Sequence, residues 1–245
     1  MLVGERMKLL MEPTGEGVLA EETKDLHTRR GVVKAAAIEA AQIGELLASN
    51  TGFEFRVLDA GFRDRYQRLR RGPQVMLPKD AAAIIAMTGI GKESVVVDAG
   101  AGTGAMACLL GHVAKQVFSY DVRKDFAELA ASNAALLGLK NVTVKNKSVA
   151  EVDERNVDAV CLDLPDPWNY VVAARTALRP GGYLSSYSPH AHQMQQLVAG
   201  LAPHFLHVRS FEVIERDWVV DEKRLRPQNT GLLHTGFITI ARRMF

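Results

Sequence analysis

Three carboxylates in this chain stand where an apolar, β-branched run breaks into a turn. The first closes Val95-Val-Val-Asp98 and opens onto Ala-Gly100-Ala-Gly102-Thr103-Gly104, after which an apolar helix begins at Ala105. Strand, glycine turn, helix is the order in which an α/β sheet builds a nucleotide site at the carboxyl end of its first strand. Glycine permits the sharp turn, and the missing Cβ lets a ligand approach the backbone. The second carboxylate, Asp121, ends the next strand-like run, Gln116–Tyr120. An acid there can accept both hydroxyls of a ribose. The third, Asp163, follows Ala159–Leu162 and opens Asp163-Leu-Pro165-Asp-Pro167-Trp168. Residues just past carboxyl strand ends line the crevice of such a sheet, so Asp163 is expected to face whatever the glycine turn holds. Pro165 and Pro167 stiffen the loop, and the Trp168 ring offers a platform for a base. In the competing reading Asp163 caps the next helix and Trp168 fills the core.

The elements that must carry these residues alternate. Strands are expected at Ser94–Val97, Gln116–Tyr120, Asn141–Lys145, Ala159–Leu162 and Tyr183–Ser186, with helical stretches between them. Among these, Arg123–Leu137 is amphipathic and is stopped by Gly138. A helix over Ala81–Met87 precedes them, closed by Gly89 and Gly91. After a helix at His192–Leu201, Phe211–Glu215 and Gly236–Ala241 read as an antiparallel edge pair. Such alternation gives a mostly parallel sheet covered on both faces. Residues 1–70 differ: Met7–Met11 and Phe53–Leu58 read as short strands among glycine and proline breakers. The expected organisation is therefore a small β-rich domain over 1–70 and a Rossmann-like domain over 71–245.

Composition excludes some classes. With 47% hydrophobic and 24% charged residues the chain suits a globular protein with a sizeable core. No apolar run reaches membrane-spanning length, and Met1–Pro13 lacks a signal-peptide layout. Cys108 and Cys161 are isolated in apolar runs and read as core thiols of a reducing compartment, which places the protein in the cytoplasm. His190 and His192 flank Ala191 without a third ligand at metal-site spacing, so no metal is assigned. The net charge of +2 decides nothing about partners, but its distribution does. Between Arg56 and Arg71 arginines stand at 56, 63, 65, 68, 70 and 71 against Asp59 and Asp64. This strip is either a solvated linker or a phosphate-binding surface.

The glycines recur every second residue, and Asp98-x-Gly100-x-Gly102-x-Gly104 resembles the first motif of class I S-adenosylmethionine methyltransferases. A dinucleotide site more usually shows G-x-G-x-x-G with a helix start facing a pyrophosphate, so NAD is the weaker choice. Asp-x-Pro-x-Pro-Trp at 163–168 likewise resembles the fourth motif of nucleobase nitrogen methyltransferases. Further segments extend the likeness over nearly the whole chain. They are Arg71-x-x-Gln74-x-x-x-Pro78-Lys79-Asp80, Tyr120-Asp-Val-Arg123, Tyr187-x-Pro189-x-x-x-Gln193, Glu215-Arg-x-Trp218, Arg226-Pro227 and His234-Thr-Gly-Phe237.

As a set these residues resemble the tRNA (adenine-N1)-methyltransferases acting on T-loop adenine 58, of the archaeal and bacterial homomeric type. The resemblance implies a class I fold with a seven-stranded sheet, S-adenosylmethionine as cofactor, tRNA as partner and a homotetramer. It implies cofactor contacts from Gln74, Gly100, Gly102, Thr103, Gly104, Asp121, Ser148 and Asp163, with Asp163 the catalytic carboxylate. Leu77, Pro165 and Trp168 would meet the target base, and Arg63, Arg65, Arg68 and Arg70 the tRNA phosphates. Three positions depart from the family pattern: Asp121 replaces the usual glutamate, Ser148 an acid, and Leu77 an aromatic or histidine. Two alternatives stay open: a class I methyltransferase of protein carboxyls or tetrapyrroles, and a non-catalytic tRNA-binding subunit of the same fold.

Overall fold

A computed structural model describes residues 7–70, 72, 76–229 and 234–245; Gln74, expected at the cofactor, and Arg71 of the basic strip lie outside the described residues. The chain divides into two compact units, Met1–Arg70 with Ala135–Gly138, and Arg71–Ala134 with Leu139–Phe245.

In the first unit the strands are β1 (Met7–Met11), β2 (Gly17–Glu21), β3 (Leu26–Thr28), β4 (Gly31–Val33), β5 (Leu46–Ala48) and β6 (Glu54–Asp59). Helix α1 (Ala35–Ala40) precedes β5, and α2 (Phe62–Tyr66) follows β6. Four strands form an antiparallel sheet in the order β2-β1-β6-β5, and β3 and β4 pair as a hairpin. Strand side chains Leu10, Ala20, Val33, Phe55 and Val57 meet Ile38 of α1 in one core. The half-exposed alternation of β6 is the period-2 pattern of a strand with one face inward. Lys8 Nζ donates to the carbonyls of Ile38, Glu39 and Ala41 at 2.7–2.8 Å, satisfying acceptors that the end of α1 leaves open. The three-residue strands carry no pattern long enough to read in sequence; pairing alone defines them.

The second unit runs α3 (Pro78–Thr88), β7 (Val95–Ala99), α4 (Ala105–Val113), β8 (Gln116–Tyr120), α5 (Lys124–Leu136), β9 (Val142–Lys145), β10 (Val157–Leu162), α6 (Val171–Ala177), β11 (Leu178–Ser188), α7 (Ala191–Gly200), β12 (Phe205–Phe211), β13 (Trp218–Val220), β14 (Leu225–Pro227) and β15 (Phe237–Arg243). Seven strands form one sheet in the order β12-β15-β11-β10-β7-β8-β9. The five strands β7–β11 are parallel, and β15 runs antiparallel between β11 and β12. Burial on both faces explains the uninterrupted Val-Val-Val of β7. Val96, Ile84, Met106, Leu110, Val117 and Ile240 share one core; Val97, Tyr120, Val171, Leu184, Leu197 and Leu201 share the other. Proline at the first turn of α3 and Gly89 at its end, with φ +68°, delimit that helix as its sequence indicates.

One expected strand is displaced: the edge strand is Phe205–Phe211, not Phe211–Glu215. Four consecutive residues from Leu206 to Arg209 are exposed, so the strand shows no alternation in sequence, and its register slips between His207 and Arg209. Pairing with β15 decides its place.

Gly104, at the start of α4, has φ +78°, and a Cβ there would lie 2.8 Å from Ala130 Cα on α5. Asn133 on α5 also donates to Thr103 O at 2.8 Å, so this glycine sets the packing of two helices. Gly104→Ala should therefore cost about 1–3 kcal/mol through backbone strain and overpacking. Urea unfolding measures it, and an unchanged midpoint would show that α5 yields freely.

Candidate active site

The sheet order reverses between β7 and β10: after β9 the chain crosses back to place β10 on the other side of β7. At such a switch point the loops leaving the two strands part and open a crevice. A cavity of about 870 Å³ lies there, lined by Gly100 and Gly102 after β7, by Asp121, Arg123 and Phe126 after β8, by Lys147 and Ser148 after β9, and by Asp163, Pro165 and Tyr170 after β10.

The glycine turn is built from backbone contacts. Gly100 N and Ala101 N both donate to Tyr120 O, at 2.9 and 3.0 Å, and Asp163 N donates to Ala99 O at 2.8 Å. A Cβ on Gly100, whose φ is +87°, would fall inside the van der Waals shell of the Asp163 carbonyl oxygen. The absence of a side chain there admits the neighbouring loop rather than a ligand. At Gly102 a Cβ would meet only Gly100 O, at 3.8 Å, so the floor of the cavity is open at that residue.

Asp121 is buried, and both its oxygens are already engaged: Oδ2 accepts from Gly102 N and Oδ1 from Arg123 N, each at 2.9 Å. Each oxygen keeps a second lone pair for a ligand hydroxyl. Ser148 Oγ accepts from Ala150 N at 3.2 Å and leaves its own proton to donate. The carboxyl of Asp163 has no hydrogen-bond partner among the described residues, and burial pushes it up to about 7. Asp98 sits one residue below the turn, 1% exposed, with Ser119 Oγ donating to its Oδ2 at 2.6 Å. Burial, with Asp163 and Asp121 adding repulsion, raises Asp98 to about 7 against the Ser119 bond.

Of the expected contacts, then, Gly100, Gly102, Asp121, Ser148, Asp163 and Pro165 line one cavity, whereas Thr103, Gly104, Leu77 and Trp168 do not. Thr103 and Gly104 serve helix packing, and Leu77 flanks the start of α3. Trp168 lies in a 3-10 turn, Pro167–Tyr170, which packs against α7, where a Cβ at Gly200 would touch its Cβ at 3.5 Å. Three residues per turn put Trp168 and Tyr170 on different sides, so Tyr170 is the aromatic that reaches the cavity. Sequence reasoning missed Tyr170 and Phe126; the Arg123 guanidinium lies 3.2 Å from the Phe126 ring centroid. In the first unit Arg63 and Arg65 belong to α2, and Arg68 reaches Leu19 O at 3.4 Å. The strip is thus partly a helix rather than a linker.

A buried charge network braces α3. Lys79 Nζ donates to Asp80 Oδ1, Val213 O and Thr235 Oγ1 at 2.6–2.8 Å, and Thr235 Oγ1 donates to Asp80 Oδ2 at 2.8 Å. Next to it His234 bridges Glu212 Oε2 and Pro189 O. A side chain on Gly236 would run into the Tyr187 ring. The Pro-Lys-Asp and His-Thr-Gly-Phe segments are therefore two halves of one structural joint.

Comparison with known proteins places this geometry. Residues 66–243 match the model of the family described as tRNA methyltransferase complex GCD14 subunit. The chain is 33% identical to the tRNA (adenine(57)-N(1)/adenine(58)-N(1))-methyltransferase TrmI of Methanocaldococcus jannaschii, over 96% of this chain and 94% of that protein. It is 28% identical to the tRNA (adenine(58)-N(1))-methyltransferase TrmI of Thermus thermophilus, over 92% and 91%. A solved SAM-dependent O-methyltransferase of Thermotoga maritima aligns with a TM-score of 0.88 at 30% identity, covering 100% of this chain and 95% of that one. The seven-stranded sheet is that of the class I methyltransferases.

Asp98 and Asp163 make the stability depend on pH. Both folded-state values are raised above the ordinary 3.8 to about 7, so between those values the folded chain holds protons that the unfolded chain has released. Their contribution to stability is present below pH 4, falls as pH rises toward 7, and is flat above it. Asp98→Asn should remove its share. Urea midpoints from pH 4 to 8, taken as wild type minus variant, should decline over this window; a constant difference would contradict the burial assigned to Asp98.

Proposed function

The chain belongs to the family described as tRNA methyltransferase complex GCD14 subunit, and from that membership we propose that it transfers a methyl group from S-adenosylmethionine to N1 of adenine in the T-loop of tRNA, at position 58. The observation that carries this reading is the Asp163 carboxyl, without a hydrogen-bond partner among the described residues, beside the glycine turn in one cavity. That cavity falls in the size range of small-molecule sites, about 300–1,000 Å³. Its open floor at Gly102 and the acid at Asp121 suit an adenosine. We assign Gly100, Gly102, Asp121 and Ser148 to hold it, with Gln74 as a further contact. Phe126 and Tyr170 supply apolar wall.

When bound, the cofactor supplies a methyl group already activated by its sulfonium. The protein's task is then alignment with the ring nitrogen, a positioning effect of about 7–11 kcal/mol where geometry is well fixed. As the N–C bond forms and the S–C bond breaks, positive charge moves onto the purine. Asp163, ionised, accepts a hydrogen bond from the exocyclic amine, stabilises the cationic ring and can take the amine proton on to solvent. Pro165 stiffens this loop, and Gln193 Nε2 holds the Pro165 carbonyl at 2.8 Å, fixing the wall over which a base enters. A T-loop adenine must leave its stack, at a cost of a few kcal/mol. Contacts of Arg63, Arg65, Arg68 and Arg70 with phosphates would offset that cost, and Leu77 and Trp168 remain candidate neighbours of the bound RNA.

Exposed Leu206, Val208, Trp218, Val220 and Leu225 on β12, β13 and β14 favour self-association, in line with a homotetramer. The buried thiols favour a cytoplasmic protein; among the described residues no helix is long and apolar enough to cross a membrane. The Thermotoga protein is named as an O-methyltransferase, and mapping the methylated atom on tRNA treated with the purified protein separates the two classes.

Asp163→Asn keeps the shape but loses the charge, and single-turnover methylation at saturating cofactor should fall by roughly 10²–10³ fold, the scale of one lost preorganised contact. A helix-capping role would leave Asn nearly harmless, so near-normal turnover would sink the assignment. Neutral replacements of Arg63, Arg65, Arg68 and Arg70 together should weaken tRNA binding and flatten its salt dependence without touching cofactor affinity. An unchanged salt slope would return the strip to solvent.

A further inference from the structure

Asp98 is the acid of the glycine turn that the chemistry above leaves unused. It lies on β7 between Ser119 of β8 and Cys161 of β10, its Cα partners in the parallel ladder. Ser119 satisfies Oδ2, but Oδ1 is buried without a partner among the described residues. The titratable groups around it are Cys108 on α4, Asp121 beyond β8, and Cys161 and Asp163 on and beyond β10. Asp121 and Asp163 oppose a negative charge on Asp98, whereas burial pushes both thiols up to about 12 and leaves them neutral. Asp121 and Asp163 line the cavity, as does Ala99, the next residue after Asp98. Three carboxyls thus share one small field, and one oxygen of Asp98 is buried in it without a partner among the described residues, so the protein does little to stabilise a charge there.

We propose that Asp98 makes the cavity respond to the charge of its occupant: a fixed cation in the cavity drives the Asp98 proton into solvent, and a neutral occupant leaves it in place. This rests on the cofactor reading above. S-adenosylmethionine carries a sulfonium cation, whereas S-adenosylhomocysteine, left after methyl transfer, has a neutral thioether and otherwise the same groups. An opposite charge within several ångström favours ionisation of a carboxyl by about 1–3 pKa units. Binding of the cofactor therefore converts the Asp98 acid to a carboxylate with one proton passing to the buffer, and binding of the product does not. The site consequently prefers cofactor over product more strongly as pH rises toward 8, and loss of the sulfonium charge itself weakens the product's hold.

Calorimetric titration of the wild-type protein at pH 7 with each ligand, in phosphate and in Tris, reads the protons released from the difference in buffer ionisation heat. S-adenosylmethionine should release on the order of half a proton from Asp98, read as wild type minus Asp98→Asn because Asp163 shares the cavity and the raised value, and S-adenosylhomocysteine markedly less. An analogue with an ammonium in place of the sulfonium should behave like the cofactor. Between pH 5.5 and 8 the ratio of cofactor to product affinity should rise roughly tenfold. Asp98→Asn keeps shape and the Ser119 contact; it should flatten that rise to within about twofold. Asp163→Asn, with its own carboxyl removed, should still release the Asp98 proton. Equal proton release by cofactor and product, or full release retained in Asp98→Asn, overturns the inference while leaving the methyltransferase reading intact. Failure of either ligand to bind the wild-type protein overturns both.

Discussion

The site depends on one close contact between two pieces of backbone. The loop leaving β7 and the loop leaving β10 touch at Gly100 and Asp163, with the Asp163 N–H bonded to Ala99 O and no room for a side chain between them. Parallel neighbours in an open sheet normally send their loops apart at a reversal of strand order. Here the first residues of both loops stay joined and diverge only beyond them. That single approach brings the carboxyl of Asp163 to the same cavity as the cradle at Gly102. It also explains why the first glycine of the turn answers to the neighbouring loop before it answers to a ligand.

Much of this was legible in sequence, and the exceptions have physical causes. Strands buried on both faces, such as Val95–Ala99 and Gln116–Tyr120, announce themselves by β-branched and aromatic content and fell within two residues of their places. Edge and three-residue strands did not, because pairing rather than composition creates them; β12, β3–β5, β13 and β14 are the instances. Within the site the acids were readable because their positions relative to strand ends fix where they point. The aromatics were not. Trp168 carried the stronger expectation, yet the 3-10 turn rotates it toward α7 and presents Tyr170 instead. Phe126 was invisible as a wall residue because its role depends on how α5 leaves the Asp121 turn.

The Lys79–Asp80–Thr235 joint shows a different kind of limit. Both of its segments stood out as part of a family pattern, which invites a functional reading of each. Their side chains are instead turned on one another: Lys79 bonds Asp80, the Thr235 hydroxyl and the Val213 carbonyl, and the Thr235 hydroxyl donates to Asp80. Breaking one member leaves a charge buried without its partner, which is costly in any protein. Recurrent residues near a site can thus be there to hold two remote stretches of chain in register.

Asp121 carries a consequence for anyone wishing to alter what the cavity accepts. Its two oxygens hold the amides of Gly102 and Arg123, so the carboxylate proposed to meet the ligand is also the strut that gives the glycine turn its shape. Redesign by substitution at this position would dismantle the scaffold along with the preference. New specificity is better sought by transplanting residues 98–104 and 119–123 together, as one cassette, from a chain that already has it.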